Sequence, residues 1–370
     1  MNKTFKYRIY PSKRQTTLLN KTLSRCCWLY NYLLEQRKNV WKQEQKSISY
    51  FDQCNSFKQL KQDHQALSTI YSQILQNTAA RLDFAFKSFF RRIKSGEKPG
   101  FPRFKNKFRY NSFTYPQKGF KLLIDKQVIQ LSKIGRVKIK LYRQIEGKIK
   151  TCTIRKTATG KWFITFSCVV SPKLISKSNK AIGIDVGLKT FAALSNGVRI
   201  KNPRFFRQEE KQLAKVQRKF SKLKKQNKER NKARKVIAYI HERISNRRHN
   251  FTHKIARKIV NHFGIIVVED ININQMQNGN FRGINKSIGD AAWRMFVDLL
   301  SYKAEEAGRK VIKVNPAYTS QTCSKCGQRH KLKLSERVFT CPFCNFILDR
   351  DHNASINILT LGMQSLGSNP

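Results

Sequence analysis

The sequence predicts an α/β domain with a four-cysteine zinc ribbon, preceded by a small β-barrel into which a block of helices is inserted. Three observations predict this. Apolar residues recur at helical spacing up to about residue 94, then with period two from Phe113 to Val170. From Ala181 onward apolar strands alternate with helical stretches, and two of those strands carry an acid. Two Cys-x-x-Cys pairs lie near the C-terminus.

Lys3 to Tyr10 alternates loosely and reads as a strand, stopped by Pro11. Ser12 then caps a helix to roughly Gln45, with Leu18, Leu19, Leu23, Leu29 and Leu33 on one side. Further helical regions run from about Ser56 to Asp63 and from about Ile70 to Lys94. Pro99, Gly100 and Pro102 break the pattern. Strands follow at Val128–Leu131, Arg136–Leu141, Lys150–Arg155 and Trp162–Val169. The opening strand lacks a partner of its own nearby. It is expected to pair with this barrel, which makes the helical block an insertion.

Ser171 to Lys180 reads as a linker. Ala181–Val186, Phe191–Leu194 and Gly197–Ile200 form a tight three-strand meander. Phe205 to Lys235 reads as one basic helix with 13 Lys and Arg, and Val236 to His262 as the next. Ile265–Glu269 is a buried strand, Ile288–Ala307 a helix, Lys310–Val314 a strand and Asp351–Leu361 a last helix.

The 370 residues carry 75 Lys and Arg against 22 Asp and Glu, a net charge of +53. Such a charge opposes compaction and points to a large polyanion, nucleic acid before an anionic membrane. No apolar run approaches the roughly 18 residues of a membrane span, and the N-terminus has no apolar leader core, so a cytoplasmic protein is expected. The clustering of four of nine cysteines favours metal binding over disulfides.

The first candidate site is a carboxylate set. An ionised acid among Ile182, Ile184 and Val186 costs several kcal/mol unless it is compensated. Asp185 alone could equally be a hydrogen-bonded structural acid. Glu269, which closes a second apolar strand, tilts the balance toward chemistry. Asp351 opens the last helix. The order strand, strand, strand, helix, strand, helix, strand, helix is an RNase H-like progression, in which the first and fourth strands are neighbours. Asp185, Glu269 and Asp351 would then meet, and hard oxygen ligands suit Mg2+ or Mn2+. Two such ions, about 3.5–4 Å apart, would clamp a phosphodiester and activate water. Asp270 points the other way, and Asp349 could be a simple helix cap.

The second site is Cys323, Cys326, Cys341 and Cys344, an all-thiolate set of four for structural Zn2+. Gly327 and Pro342 supply the turns, and His330 and His352 are bystanders. The third feature is basic and aromatic. Arg91 to Lys94, Arg103, Lys105, Lys107 and the 205–235 helix offer phosphate contacts. Tyr110, Phe113 and Tyr115 offer stacking surfaces. Gln73, Gln76 and Asn77, with Arg81 one turn on, could read base edges, or could form an ordinary polar helix face.

With these residues in view the chain resembles TnpB, the transposon-encoded relative of compact type V CRISPR effectors. The motifs are Lys6-Tyr-Arg-Ile-Tyr-Pro11, Lys98-Pro-Gly-Phe-Pro-Arg-Phe-Lys105, Gly183-Ile-Asp-Val-Gly187, Val267-Val-Glu-Asp270, Asn315-Pro-Ala-Tyr-Thr-Ser-Gln-Thr-Cys323 and Asp349-Arg-Asp-His-Asn-Ala354. They span nearly the whole chain. The resemblance implies an RNA-guided DNA endonuclease that pairs a transposon-derived guide RNA with double-stranded target DNA and reads a short transposon-adjacent motif. It implies a single RuvC site at Asp185, Glu269 and Asp351. It also implies a wedge-like barrel over 1–10 and 97–178, a helical recognition domain over 11–96, a RuvC-like domain over 179–319 and 347–370, and a zinc ribbon over 320–346. A monomer is expected. The rivals are a guide-directed repressor, disfavoured because all three acids are present, a transposase, and a CRISPR type V nuclease.

Overall fold

In the computed structural model residues 1–224, 226–277, 281–333 and 336–367 are described, with 274 and 282 as backbone only. The chain divides into two compact units, Met1–Val170 and Ser171–Pro370. The division falls earlier than the boundary expected at 178. Residues 171–178 pack with the second unit, where the Ile175 amide donates to the Ala307 carbonyl.

The first unit opens with β1 (Asn2–Tyr10) and α1 (Lys13–Glu44). Ser12 and Gln15 form a reciprocal capping box, which satisfies amides at the start of this helix. Helices α2 (Tyr50–Asn55), α3 (Phe57–Asp63) and α4 (Ser72–Lys94) follow, with a short 3-10 turn before the last. Then come β2 (Ser112–Tyr115), β3 (Phe120–Leu123), β4 (Val128–Leu131), β5 (Gly135–Lys140), β6 (Lys148–Lys156) and β7 (Trp162–Val169). They form one antiparallel sheet in the order β2-β6-β7-β1-β5-β4-β3.

β1 lies at the centre of this sheet, with Phe5 opposite Phe166 and Ile9 opposite Ile139. Its alternation is the cause: Phe5, Tyr7 and Ile9 are buried and Lys6 and Arg8 are not. Each such burial stabilises by about 1.5–3 kcal/mol. The sheet is nearly closed. Tyr115 on β2 lies 6.5 Å from the Phe120 ring on β3, and its hydroxyl donates to the Ser132 carbonyl at 3.0 Å. The period-two pattern alone does not separate β2 and β3 as elements, and α2 has no counterpart among the expected helices.

The second unit contains β8 (Ala181–Val186), β9 (Thr190–Leu194), β10 (Arg199–Lys201), α5 (Phe205–Lys222), α6 (Lys228–His262), β11 (Ile265–Glu269), α7 (Ile273–Gln277), α8 (Arg282–Ala291), α9 (Trp293–Ala307), β12 (Lys310–Val314), β13 (Val338–Thr340), β14 (Ile347–Asp349) and α10 (Arg350–Gly367). The main sheet has the order β10-β9-β8-β11-β12. β8, β11 and β12 are parallel, and β9 runs against β8. The first and fourth strands of the unit are therefore neighbours.

Its two faces are covered differently. Ile182, Ile184, Ile266 and Val268 join a core with Phe296 and Leu300 of α9 and Ile259 and Val260 of α6. Val267 instead packs with Ile358 of α10. Gly183 shares that face. A Cβ there would stand 2.1 Å from the Ser355 carbonyl oxygen, so α10 lies against β8 only because residue 183 is glycine.

Two expected helices are interrupted. The basic helix expected over 205–235 ends at Lys222, and Asn227 restarts the chain by accepting from the Glu229 amide at 2.8 Å. Residue 225 lies outside the described residues. α5 and α6 then fold against each other, with Leu213 packed on Ile240 and Ile244. The helix expected over 288–307 breaks at Ala292, whose φ of 56° is left-handed. Just before the break, buried Asp290 accepts from the Phe206 and Arg207 amides and from Arg248. It thereby serves amides at the start of α5 that have no partner within their own helix.

Candidate active site

Strand periodicity assembles the carboxylates. On β8, Gly183 and Asp185 point to the face under α10. On β11, Val267 and Glu269 do the same. Val268 is paired with Ile184, so Glu269 stands one step on, beside Asp185, about 5 Å away across the ladder. Asp351 lies in the first turn of α10, one turn before Ser355, which covers Gly183. Three separate stretches thus deliver acids to one end of one face.

The electrostatics agree. Burial pushes the Asp185 carboxyl up to about 8, and the negative fields of Glu269 and Asp351 push in the same direction. Arg350 opposes them. Burial also raises Glu269, against a hydrogen bond of 2.7 Å that its Oε1 accepts from the Thr319 hydroxyl. Such a set holds its charges poorly without a cation, and its donors are all hard oxygens. A cleft of about 350 Å3 opens beside Glu269, lined also by Arg294 and Lys313.

The neighbouring acids are engaged otherwise. Asp270 is exposed and pairs with Lys313 at 3.1 Å. Asp349 accepts from the His352 amide at 3.1 Å and pairs with Arg199 at 2.7 Å, which makes it the cap of α10. Glu209 is buried against Arg243, and Asp290 against Arg248. These acids serve as counterions in a basic chain.

Sequence reasoning did not assign the residues that hold Glu269 in place. Thr319, Asn353 and Asn357 are all buried. Asn357 donates to the Thr319 and Thr322 carbonyls at 2.8 and 2.6 Å. Asn353 donates to the Thr322 carbonyl at 2.7 Å and accepts from the Ser324 amide at 3.0 Å. One face of α10 therefore grips segment 319–324, and Thr319 in turn holds Glu269. The available signal was two asparagines four residues apart on a helix that otherwise buries apolar side chains.

The four cysteines come together. Their Sγ atoms all lie within 4.8 Å of one another, with Cys323–Cys344 at 3.7 Å and Cys326–Cys341 at 3.6 Å. Tetrahedral zinc with bonds of about 2.3 Å requires sulfur separations of about 3.8 Å. The group fits. Gly327 and Asn345 take left-handed conformations that turn each knuckle, and β13 pairs with β14 beside the second. Burial pushes the Cys341 thiol up, yet the Cys344 and Phe343 amides aimed at it win and bring it down to about 7. The His352 ring instead approaches the Ser195 carbonyl at 3.2 Å.

The nucleic-acid candidates divide. Arg103, Lys105 and Gln76 are exposed. Gln73 accepts from the Lys118 amide at 3.3 Å. Asn77 accepts from Arg81, which also donates to the Ser112 carbonyl and to Thr114. Arg81 is thus a brace between α4 and β2. Tyr115 is 0% exposed, and Tyr110 and Phe113 are buried too, so none of the three offers a ring face to a base. The period-two strand that holds Phe113 and Tyr115 turns both inward.

Comparison with known proteins bears on the whole chain. A family model described as a Cas12f1-like TNB domain matches residues 293–358, one described as a probable transposase matches 168–279, and a helix-turn-helix model matches 1–46. In this structure that last stretch is β1 and the uninterrupted α1. A protein of Streptomyces pristinaespiralis named "Putative RNA-guided DNA endonuclease" is 32% identical over 98% of this chain and 90% of its own. A similarly named InsQ of Escherichia coli (strain K12) is 31% identical over 97% and 92%. The CRISPR-associated endodeoxyribonuclease Cas12f1 of Sulfoacidibacillus thermotolerans is 30% identical over 54% of this chain and 50% of its own. Among solved structures, a Cas12f1–sgRNA–target DNA complex gives a TM-score of 0.59 at 15% identity, covering 97% of this chain and 98% of that one. The mini RNA-guided endonuclease Cas_phi3 gives 0.54 at 11%, covering 98% and 92%. At those identities the likeness is one of fold. The chain is a member of the TnpB family.

Proposed function

We propose that this protein is an RNA-guided DNA endonuclease of TnpB type, with a RuvC-like site at Asp185, Glu269 and Asp351. The observation that carries the reading is the convergence of these three acids from β8, β11 and α10, with Glu269 and Asp351 both adding to the charge problem of buried Asp185. Membership of a family whose relatives are named as RNA-guided endonucleases supports the substrate class. The net charge of +53 fits a protein that carries RNA and DNA together.

Bound divalent cations of the Mg2+ or Mn2+ type supply the Lewis acidity and the activated water of phosphodiester hydrolysis. The chain's own residues do the rest. Asp185, Glu269 and Asp351 would hold the cations. Thr319 fixes one oxygen of Glu269 by a hydrogen bond of 2.7 Å and so limits the rotation of its carboxylate. The cleft beside Glu269 admits a backbone segment, with Arg294 at its wall to receive a phosphate beside the Lys313–Asp270 pair. Zinc in the four-cysteine ribbon is structural, because all four positions are thiolate. The nearly closed sheet takes the wedge role. Helices α1 to α4 take the recognition role, with Gln73, Gln76 and Asn77 near the adjacent motif.

The test is to purify the protein with RNA expressed from its own locus, sequence that RNA and challenge a target plasmid in Mg2+. A discrete RNA that ends in variable, locus-flanking sequence and directs cutting supports the reading. Non-specific RNA with no directed cutting refutes it.

A further inference from the structure

A second concave site lies in the first unit. It is a cavity of about 480 Å3, within the range of about 300–1,000 Å3 that small-molecule sites occupy. Its floor is aromatic. Phe101 stands edge-on to Phe89 with ring centroids 5.3 Å apart, and Trp41 and Phe90 remain 54% and 60% exposed. Its rim is cationic, with Lys38, Lys42 and Lys46 among the lining residues and no acid among them. Nearby acids are engaged, Asp83 with Arg37 and Lys87 and Glu97 with Arg92, while Glu44 pairs with Lys46 at 3.5 Å, so the rim charge offered to a phosphate is that of Lys38 and Lys42.

We propose that this cavity holds unpaired nucleotides of an RNA, with bases stacked on Trp41 and Phe90 and phosphates on the lysine rim. The two parts of the site require the same ligand. Exposed flat rings ask for a planar apolar face, and a rim of like charge asks for an anion next to it. A nucleotide supplies both in one unit. A duplex does not, since its base faces are stacked on one another. An apolar protein surface would leave the lysines unmatched. The assignment to RNA rests on the function proposed above, in which the guide is the partner that keeps unpaired segments while the target begins as a duplex.

The RNA-free full-length protein provides the readout. Trp162 and Trp293 are buried, and Trp28, 39% exposed, is already stacked on Tyr32, which leaves Trp41, 54% exposed, as the most exposed indole and the one an incoming base at this cavity would quench. The probe is a short, unstructured single-stranded RNA, compared with the same strand made abasic and with the same strand annealed to its complement. The intact RNA quenches emission, and Trp41→Phe removes most of that quench. Trp41→Ala and Phe90→Ala reduce the preference for intact over abasic RNA by about five- to 150-fold, without changing the salt slope. Lys42→Gln lowers the slope by about 0.7.

Three results would overturn the proposal. One is an unchanged preference in both aromatic variants. Another is equal quenching by the annealed duplex. The third is a change in the sedimentation of the RNA-free protein on mutation, which would make the cavity a contact between copies. None of these measurements needs a target or cleavage, so a failure here is distinct from a failure of the nuclease reading.

Discussion

Asp185 carries the largest electrostatic strain of the carboxylate set, and the strain has a measurable sign. Its native carboxyl titrates at about 8, against about 3.9 in an unfolded chain. Between those values the native state binds more protons than the unfolded state, so stability falls as pH rises. In EDTA the wild type is expected to lose more stability from pH 5 to pH 8 than Asp185→Asn. The difference is about 2 kcal/mol, less than the full shift implies because the site is partly open to water. Melting curves across that range check this, and added Mg2+ should flatten the wild-type slope. Thr319→Val provides a second residue-scale test. It frees one oxygen of Glu269 without touching the ligand set, and Mg2+ affinity by titration should drop about 10- to 100-fold with RNA binding retained.

At the scale of elements, the close approach of α10 to β8 decides whether the site exists. Gly183→Ala places a methyl group 2.1 Å from a backbone carbonyl that has no rotamer to yield. It should cost about 1–3 kcal/mol and shift Asp351 away from Asp185. The expected outcome is a folded protein by circular dichroism, with a lowered melting temperature and little cleavage. The ribbon is the other decisive element. Metal analysis should find one zinc per chain, and its removal should loosen segment 319–324, which Asn353 and Asn357 hold from α10. Mg2+ affinity should then fall in the zinc-free protein although no carboxylate has changed.

Much of this was legible in the sequence, for a physical reason. β8 and β11 are short, mostly apolar runs buried through their middles, and an acid inside or at the end of such a run is conspicuous. Cysteine pairs with short spacing are equally local signals. What failed was long-range. Near the break at Ala292, buried Asp290 meets α5 from 84 residues away, and α5 folds onto α6 by packing Leu213 on Ile240 and Ile244; helical periodicity does not register such contacts. Tyr115 looked like a stacking residue because composition does not reveal which face of a strand turns inward. The asparagine brace left only the spacing of Asn353 and Asn357 as a signal, because its partners are backbone groups, which have no sequence signature.

At the scale of the whole molecule, a net charge of +53 dominates. Among the acids, several are spent as counterions, as Glu209, Asp290 and Glu306 are with Arg243, Arg248 and Arg257. On the function proposed here, the charge of Asp185, Glu269 and Asp351 is instead left for cations. No described helix is long and apolar enough to cross a membrane, and the polyanion that balances the charge is assigned to nucleic acid. RNA affinity should accordingly fall steeply with salt, by orders of magnitude between about 50 and 200 mM if roughly six to ten phosphates are neutralised.

The most direct test of the central claim is cleavage by the RNA-bound protein carrying Asp185→Ala, measured on a matched target in Mg2+ beside the wild type. The account predicts that cutting is lost on both strands while guide RNA and target DNA are bound with affinities within about twofold of the wild type. Undiminished cleavage by Asp185→Ala would show that the chemistry lies elsewhere in the chain.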